Sequence, residues 1–459
     1  MICRSALSRG SKLALRRQGC ARLAQRRGYA AAAATTDASY EPTDIAGIKV
    51  ASKDPHGPTT KLAIVAKAGT RYQPLPGLTA GLEGFAFQNT QKRSALRITR
   101  ESELLGGQLT AYHTREALVI ETSFLRNDLP YFAELLGEVI TSTKYTTHEF
   151  HEEVERVLHL KQAKLAHNSL AIALDAAHST AFHTGLGSPL YPTASTPLGG
   201  YLNENTIAAF ADAAYTKDNI AVLADGVSQA QLSKWIEPFF KGVKSSSSGQ
   251  LKLNTAASKY FGGEQRIAYS GKNTVVLAFP GYTLATDKPE AAVLTALLGG
   301  ESTISWTPGF TLLSKAAAAA PGTTISASNF GYTDAGLLAI QISGSASAVR
   351  KGAEEAVKVL KSVAEGTVGK EDLTKAIAKA KFDLLSVNEL SGTGLVAAGT
   401  SLVHGGKPFQ VAEALKSYES VTADKLKAAA KGLLDGKATV AAVGDLYVLP
   451  YGEDLGLKV

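Results

Sequence analysis

The sequence predicts an α+β fold of two homologous halves, each an antiparallel-rich sheet with helices on one face. Three observations lead there. Strand-like and helix-like apolar patterns succeed one another along the chain, as stacked sheet-and-helix layers require. The same order of elements recurs after about 220 residues. Finally, 459 residues exceed what one hydrophobic core ordinarily serves, while 45% apolar and 19% charged content marks a folded chain.

Residues 1–29 stand apart. They carry Arg4, Arg9, Lys12, Arg16, Arg17, Arg22, Arg26 and Arg27, and no acid occurs before Asp37. Removing these 8 from 48 basic residues leaves 40 against 41 acids, so the formal charge of +7 belongs to the arm. Rich in Ala, Leu, Ser and Arg, the arm has the composition of a mitochondrial transit peptide. Arg27-Gly28-Tyr29 before Ala30 resembles an arginine-guided cleavage site, with the cut after Tyr29. A near-neutral body argues against a nucleic-acid-binding arm. Both cysteines, Cys3 and Cys20, lie in the arm, so the remaining chain offers no thiol to a disulfide, a cluster or a metal. No run of eighteen or more apolar residues occurs, which argues against a membrane-spanning helix.

Residues 30–45 read as a flexible lead-in, 46–241 as the first domain, 242–263 as a linker and 264–459 as the second domain. Leu62–Ala68 is a short apolar run suited to a buried strand. Gly106–Phe124 reads as two strands around a polar turn at His113-Thr114-Arg115. Asn127-Asp128 should cap the next helix, with Pro130 in its first turn and Leu129, Phe132, Leu135, Leu136, Val139 and Ile140 on one face. In the second half Ile325–Ile342 is again a strand pair, with Tyr332 in the place of Tyr112. Ser347 should cap the following helix. Charged helix starts follow in both halves, at Thr147-His148-Glu149 and Gly369-Lys370-Glu371. Each half closes on an apolar strand with a Gly turn, Ile220–Gly226 and Val440–Gly444.

The chemistry centres on Gly77–Thr90, GLTAGLEGFAFQNT, which has the outline of the zinc-peptidase helix His-x-x-Glu-His. In that motif two imidazoles four apart share a helix face and bind zinc, while the Glu activates water. Here the two His positions are Ala80 and Gly84, and Glu83 remains. A methyl group and a hydrogen have no lone pair to donate. His151, Glu155 and His159, spaced by four, would share another helix face, but Glu152 and Glu153 among them suggest a solvated surface. The remaining histidines, His113 among them, show no ligand spacing. Phosphate-loop, dinucleotide and nucleophile-elbow patterns are missing too; Ser305-Trp306 lies in no such context.

With the duplication and the arm, these motifs resemble the mitochondrial branch of the pitrilysin-like metallopeptidase superfamily. That branch holds the two subunits of the matrix processing peptidase and the two large core proteins of the cytochrome bc1 complex. The carriers are Gly77–Thr90, Gly106–Glu116, Pro197-Leu198-Gly199 with Glu204–Ile207, Phe330–Leu337 and Val443–Leu446. The resemblance implies that the two halves pair as a bowl, that Ala80 and Gly84 are lost zinc ligands and that Glu83 is a vestigial general base. It places the third ligand near Leu160, where Val157–Ala163 holds no carboxylate, and matches Glu153 to a supporting helix glutamate. Substrate-holding Arg and Tyr residues of active relatives have no match in Ala316–Thr324. Neither metal nor cofactor is therefore expected. Of the branch's roles, the resemblance favours a structural core protein over the substrate-holding peptidase subunit. Leu297–Thr311 is only partly Gly-rich and is stiffened by Trp306 and Pro308, whereas a peptide-gripping loop needs backbone freedom. The implied partners are the paralogous core protein 1, cytochrome b, cytochrome c1 and the iron–sulfur protein. The implied place is the matrix side of the inner membrane, peripheral, in a dimeric complex, with no nucleic acid.

Overall fold

A computed structural model describes residues 39–193, 196–247, 249, 251–283, 288–301, 307, 309–389 and 391–459. Arg27, Tyr29, Ala30, both cysteines, Ser305-Trp306 and Pro308 lie outside the described residues.

The first half runs β1 (Glu41–Ile45), β2 (Ile48–Lys53), β3 (Thr59–Ala66), α1 (Leu78–Phe85), α2 (Ala95–Leu104), β4 (Gln108–His113), β5 (Leu118–Leu125) and α3 (Leu129–Thr141). Helix α4 follows as three continuous pieces, Thr147–Glu149, a π-helical Phe150–Glu155 and Arg156–Ala166. Then come α5 (Ser169–Phe182), α6 (Glu204–Ala214), β6 (Ile220–Asp225) and α7 (Gln229–Phe239). The second half runs β7 (Gly263–Ala268), β8 (Asn273–Pro280), α8 (Pro289–Leu298), α9 (Leu312–Ala319), β9 (Thr323–Gly331), β10 (Gly336–Gly344) and α10 (Ala346–Glu365). It ends with α11 (Lys370–Glu389), α12 (Ser391–Gly405), α13 (Val411–Glu419), α14 (Ala423–Asp435) and β11 (Thr439–Gly444).

The sheets are orders β1-β2-β6-β3-β5-β4 and β7-β11-β8-β10-β9. Beyond β1, the second repeats the first strand for strand, including one parallel pair, β2 with β6 and β7 with β11. The other pairs are antiparallel, which is the expected α+β architecture.

Each sheet is apolar on both faces, and period-two alternation divides the residues between them. In the first sheet Leu62, Ile64, Ile120 and Val222 face α1, α3, α6 and α7 of their own half. Their neighbours Ala63, Val65, Val119 and Leu223 face Leu395, Ala398 and Leu402 of α12, a helix of the other half. The second sheet mirrors this. Val275, Leu277, Ile340 and Val440 pack on their own helices, while Val276, Ala278, Ala339 and Val443 meet Ala173, Ala177 and Ala181 of α5. The halves thus exchange one helix each. Both exchanged helices are rich in small residues, which lets them lie close to a sheet. A Cβ on Gly399 would come within 2.5 Å of Val65 and 2.7 Å of Leu223.

Several local expectations need correction. The lead-in was expected to stay irregular to residue 45, yet Glu41–Ile45 pairs with β2. Ala46 and Gly47, both at positive φ, turn the chain, and Asp44 accepts from the Gly47 amide. This strand is exposed along nearly its whole length, so no apolar alternation marks it. Asp128 stands at the N-cap of α3 without a side-chain hydrogen bond, because a 3-10 turn, Arg126–Asp128, leads into the helix. Ser345, not Ser347, occupies the N-cap of α10. Aligning the hairpin ends His113 with Gly331 and Leu118 with Gly336 (331−113 = 218; 336−118 = 218) sets Tyr332 opposite Thr114, not Tyr112. His113 itself closes strand β4 and is buried; it does not belong to the turn.

Candidate functional site

Helix α1 begins at Gly77, whose φ of 92° suits glycine, and it is buried on nearly every side. Ala80 points into the core, and the place where a Gly84 side chain would start is taken by Val154. A Cβ there would lie 3.0 Å from Val154 Cγ1 and 3.2 Å from Cγ2. Val154 belongs to the π-helical turn of α4, whose wider winding sets it against α1.

Glu83 is 8% exposed and fully partnered. Its Oε2 lies 2.5 Å from His113 Nδ1, and its Oε1 lies 2.5 Å from Lys161 Nζ. The other ring nitrogen of His113, Nε2, donates to the Leu190 carbonyl at 2.7 Å. Tyr191 closes over the group, its ring 4.9 Å from the His113 ring and 4.9 Å from Lys161 Nζ. Gln162 fastens this cover by donating to the Pro192 carbonyl at 2.8 Å. Burial by itself would raise the Glu83 carboxyl. The His113 and Lys161 contacts outweigh it and hold the group below the ordinary carboxylate value.

The donor set does not fit zinc. Both helix positions lack a lone pair, and the stretch Val157–Ala163 supplies Lys161, an ammonium that can only donate. Lys161 brings a positive charge to the carboxylate that would otherwise face a metal-bound water. Leu160 is 57% exposed and turned away. Glu153 is exposed and pairs with Arg156 at 3.4 Å, so it does not support Glu83. His151 and His159, both exposed, share the half-buried Glu155, at 2.8 and 3.9 Å. Among the described residues no group of three or more His, Cys, Asp or Glu side chains could hold a metal ion. Ala316 and Ala320 are buried where α9 runs into β9, and no arginine or tyrosine occurs there.

Sequence reasoning missed His113 and Lys161 as Glu83's partners. His113 comes from the far end of another strand, at no recognisable spacing. Lys161 lies within Val157–Ala163, but a lysine carries no signal of a metal ligand.

This geometry describes a helix of zinc-peptidase outline whose one carboxylate is buried and held by Lys161 and His113. The family model described as insulinase (peptidase family M16) matches residues 49–194, and that of the peptidase M16 inactive domain matches residues 201–380. The chain belongs to the M16 peptidase family. Among curated relatives, a Neurospora crassa protein named cytochrome b-c1 complex subunit 2, mitochondrial, is 70% identical over the whole of both chains. Proteins of the same name from Cryptococcus neoformans and Homo sapiens are 37% and 27% identical. They align with 90% and 93% of this chain and 94% and 95% of their own lengths.

Proposed function

We infer that this chain is a structural core subunit of the mitochondrial cytochrome b-c1 complex, ubiquinol–cytochrome c reductase, and that it catalyses no reaction of its own. The observation that carries the reading is end-to-end likeness to the Neurospora protein of that name. The chemistry of the site agrees: a peptidase shell whose general base is tied up by Lys161 and His113, with Ala80 and Gly84 at the ligand positions, keeps its shape but lacks the means to hold a metal-bound water for that base. Glu83 is vestigial, and Ala80 and Gly84 mark the lost ligands.

Such a subunit acts through its surfaces. We place it on the matrix side of the inner membrane, peripheral, as the likeness to the b-c1 subunits suggests; no helix among the described residues is long and apolar enough to cross a bilayer. Its proposed neighbours are a paralogous core protein 1, cytochrome b, cytochrome c1 and the iron–sulfur protein, in a dimeric complex. Residues 1–29 are proposed to be the import signal, with 46–241 and 264–459 as the two domains; the repeated strand order supports the division.

Mass spectrometry of the native assembly after mild solubilisation of mitochondria tests this. The chain should begin at Ala30 and travel with haem-bearing subunits. Recovery in a soluble two-subunit peptidase, with no cytochrome in the particle, would overturn the assignment.

A further inference from the structure

The two halves meet at their equivalent hairpin turns. With strand ends 218 positions apart, Glu116 in the β4–β5 turn corresponds to Asp334 in the β9–β10 turn (334−116 = 218). Arg71, in the loop after β3, lies between them with its side chain 6% exposed. Its Nη1 donates to Glu116 Oε1 at 2.6 Å, to Asp334 Oδ1 at 2.7 Å and to Thr333 Oγ1 at 3.0 Å. Its Nη2 reaches the second oxygen of Asp334 and the Ala256 carbonyl in the segment joining the halves.

Other bonds fix the same turn. The Thr333 amide donates to both oxygens of Glu116, at 3.2 and 3.1 Å, and the Thr333 hydroxyl donates to Oε1 at 2.6 Å. The Ser258 amide, also in the joining segment, donates to Asp334 at 2.8 Å. Tyr332 bonds His178 of α5 at 2.8 Å. His178 Nδ1 faces the Leu174 carbonyl at 2.7 Å and must carry the ring hydrogen, so Nε2 accepts from the tyrosine.

The exchanged helices hold the halves together through apolar contact, which is strong but non-directional and tolerates sliding. A bidentate guanidinium–carboxylate pair is directional. One cation serves two carboxylates here. Without it Glu116 and Asp334, joined through Thr333, would confront each other as like charges.

We propose that Arg71 is a clip that fixes the angle between the halves, making the chain a rigid bracket and not a hinged pair. This holds whichever assembly the chain serves.

Pulsed electron–electron resonance distances test it on the full chain. Replacing Cys3 and Cys20 by serine leaves no thiol, and nitroxides can then be placed at Leu104→Cys on α2 and Phe382→Cys on α11, which are 86% and 68% exposed. The chain with Arg71 intact should give one narrow distance. Arg71→Met should split or broaden the distribution while far-ultraviolet circular dichroism stays native. Asp334→Asn, which keeps the shape and removes one charge, should do the same to a smaller degree. If Arg71→Met does not fold, Asp334→Asn decides alone. Folded variants with the parent distribution, or a parent distribution already broad, would overturn the clip.

Discussion

Lys161→Met tests whether an internal cation stabilises the buried Glu83 carboxylate. The substitution keeps the length of the side chain and removes its charge. At 2.5 Å and an effective dielectric constant of ~20, the Lys161–Glu83 attraction is about 7 kcal/mol gross. Much of that is offset by taking Glu83 out of water. Breaking a fully buried pair costs about 3–5 kcal/mol, but Lys161 is 31% exposed and His113 still holds Glu83, so the net loss should be about 1–3 kcal/mol. Urea unfolding at neutral pH reads this directly, and a pH series checks its origin. Glu83 is held below its unfolded value, so its contribution is complete above that value and disappears as pH falls through the lower folded one. Lys161→Met should move that acid loss to higher pH, because one of the groups lowering the carboxyl has gone. A variant as stable as the parent, with an unmoved acid limb, would refute the reasoning.

Two further variants probe the scaffold. Gly399→Val should loosen α12 from the first sheet, since even a Cβ there overlaps Val65 and Leu223; a cost of about 1–3 kcal/mol is expected, and hydrogen exchange confined to its own half would contradict the exchanged-helix packing. Restoring both histidines, Ala80→His with Gly84→His, should not restore stoichiometric zinc, because Val154 fills the second position and Lys161 remains at Glu83. Elemental analysis of the double variant showing one zinc per chain would argue that neither obstacle matters.

Much of this was legible in order and spacing. The strand pairs, the paired charged helix starts and the closing apolar strands disclosed the duplication, because each is a local pattern with its own period. Ala80 and Gly84 at the histidine positions of a zinc-peptidase spacing were legible for the same reason: a four-residue spacing on one helix is a one-dimensional fact. His113 was not, since it meets Glu83 across 30 residues through the pairing of β4 in the sheet. Strand β1 escaped notice because an exposed edge strand needs no apolar alternation. Ser347 and Asn127-Asp128 were plausible caps by type, but the winding at each helix start is set by how the preceding turn packs.

The sequence by itself determined that this protein has two like halves and that Ala80 and Gly84 give a divalent ion nothing to bind, because covalent identity alone decides lone pairs. The tertiary structure decided which groups meet the Glu83 carboxylate, which helix covers which sheet, and how Arg71 joins two turns that lie far apart along the chain. Those contacts depend on distances in space, and no period or spacing along a chain encodes them.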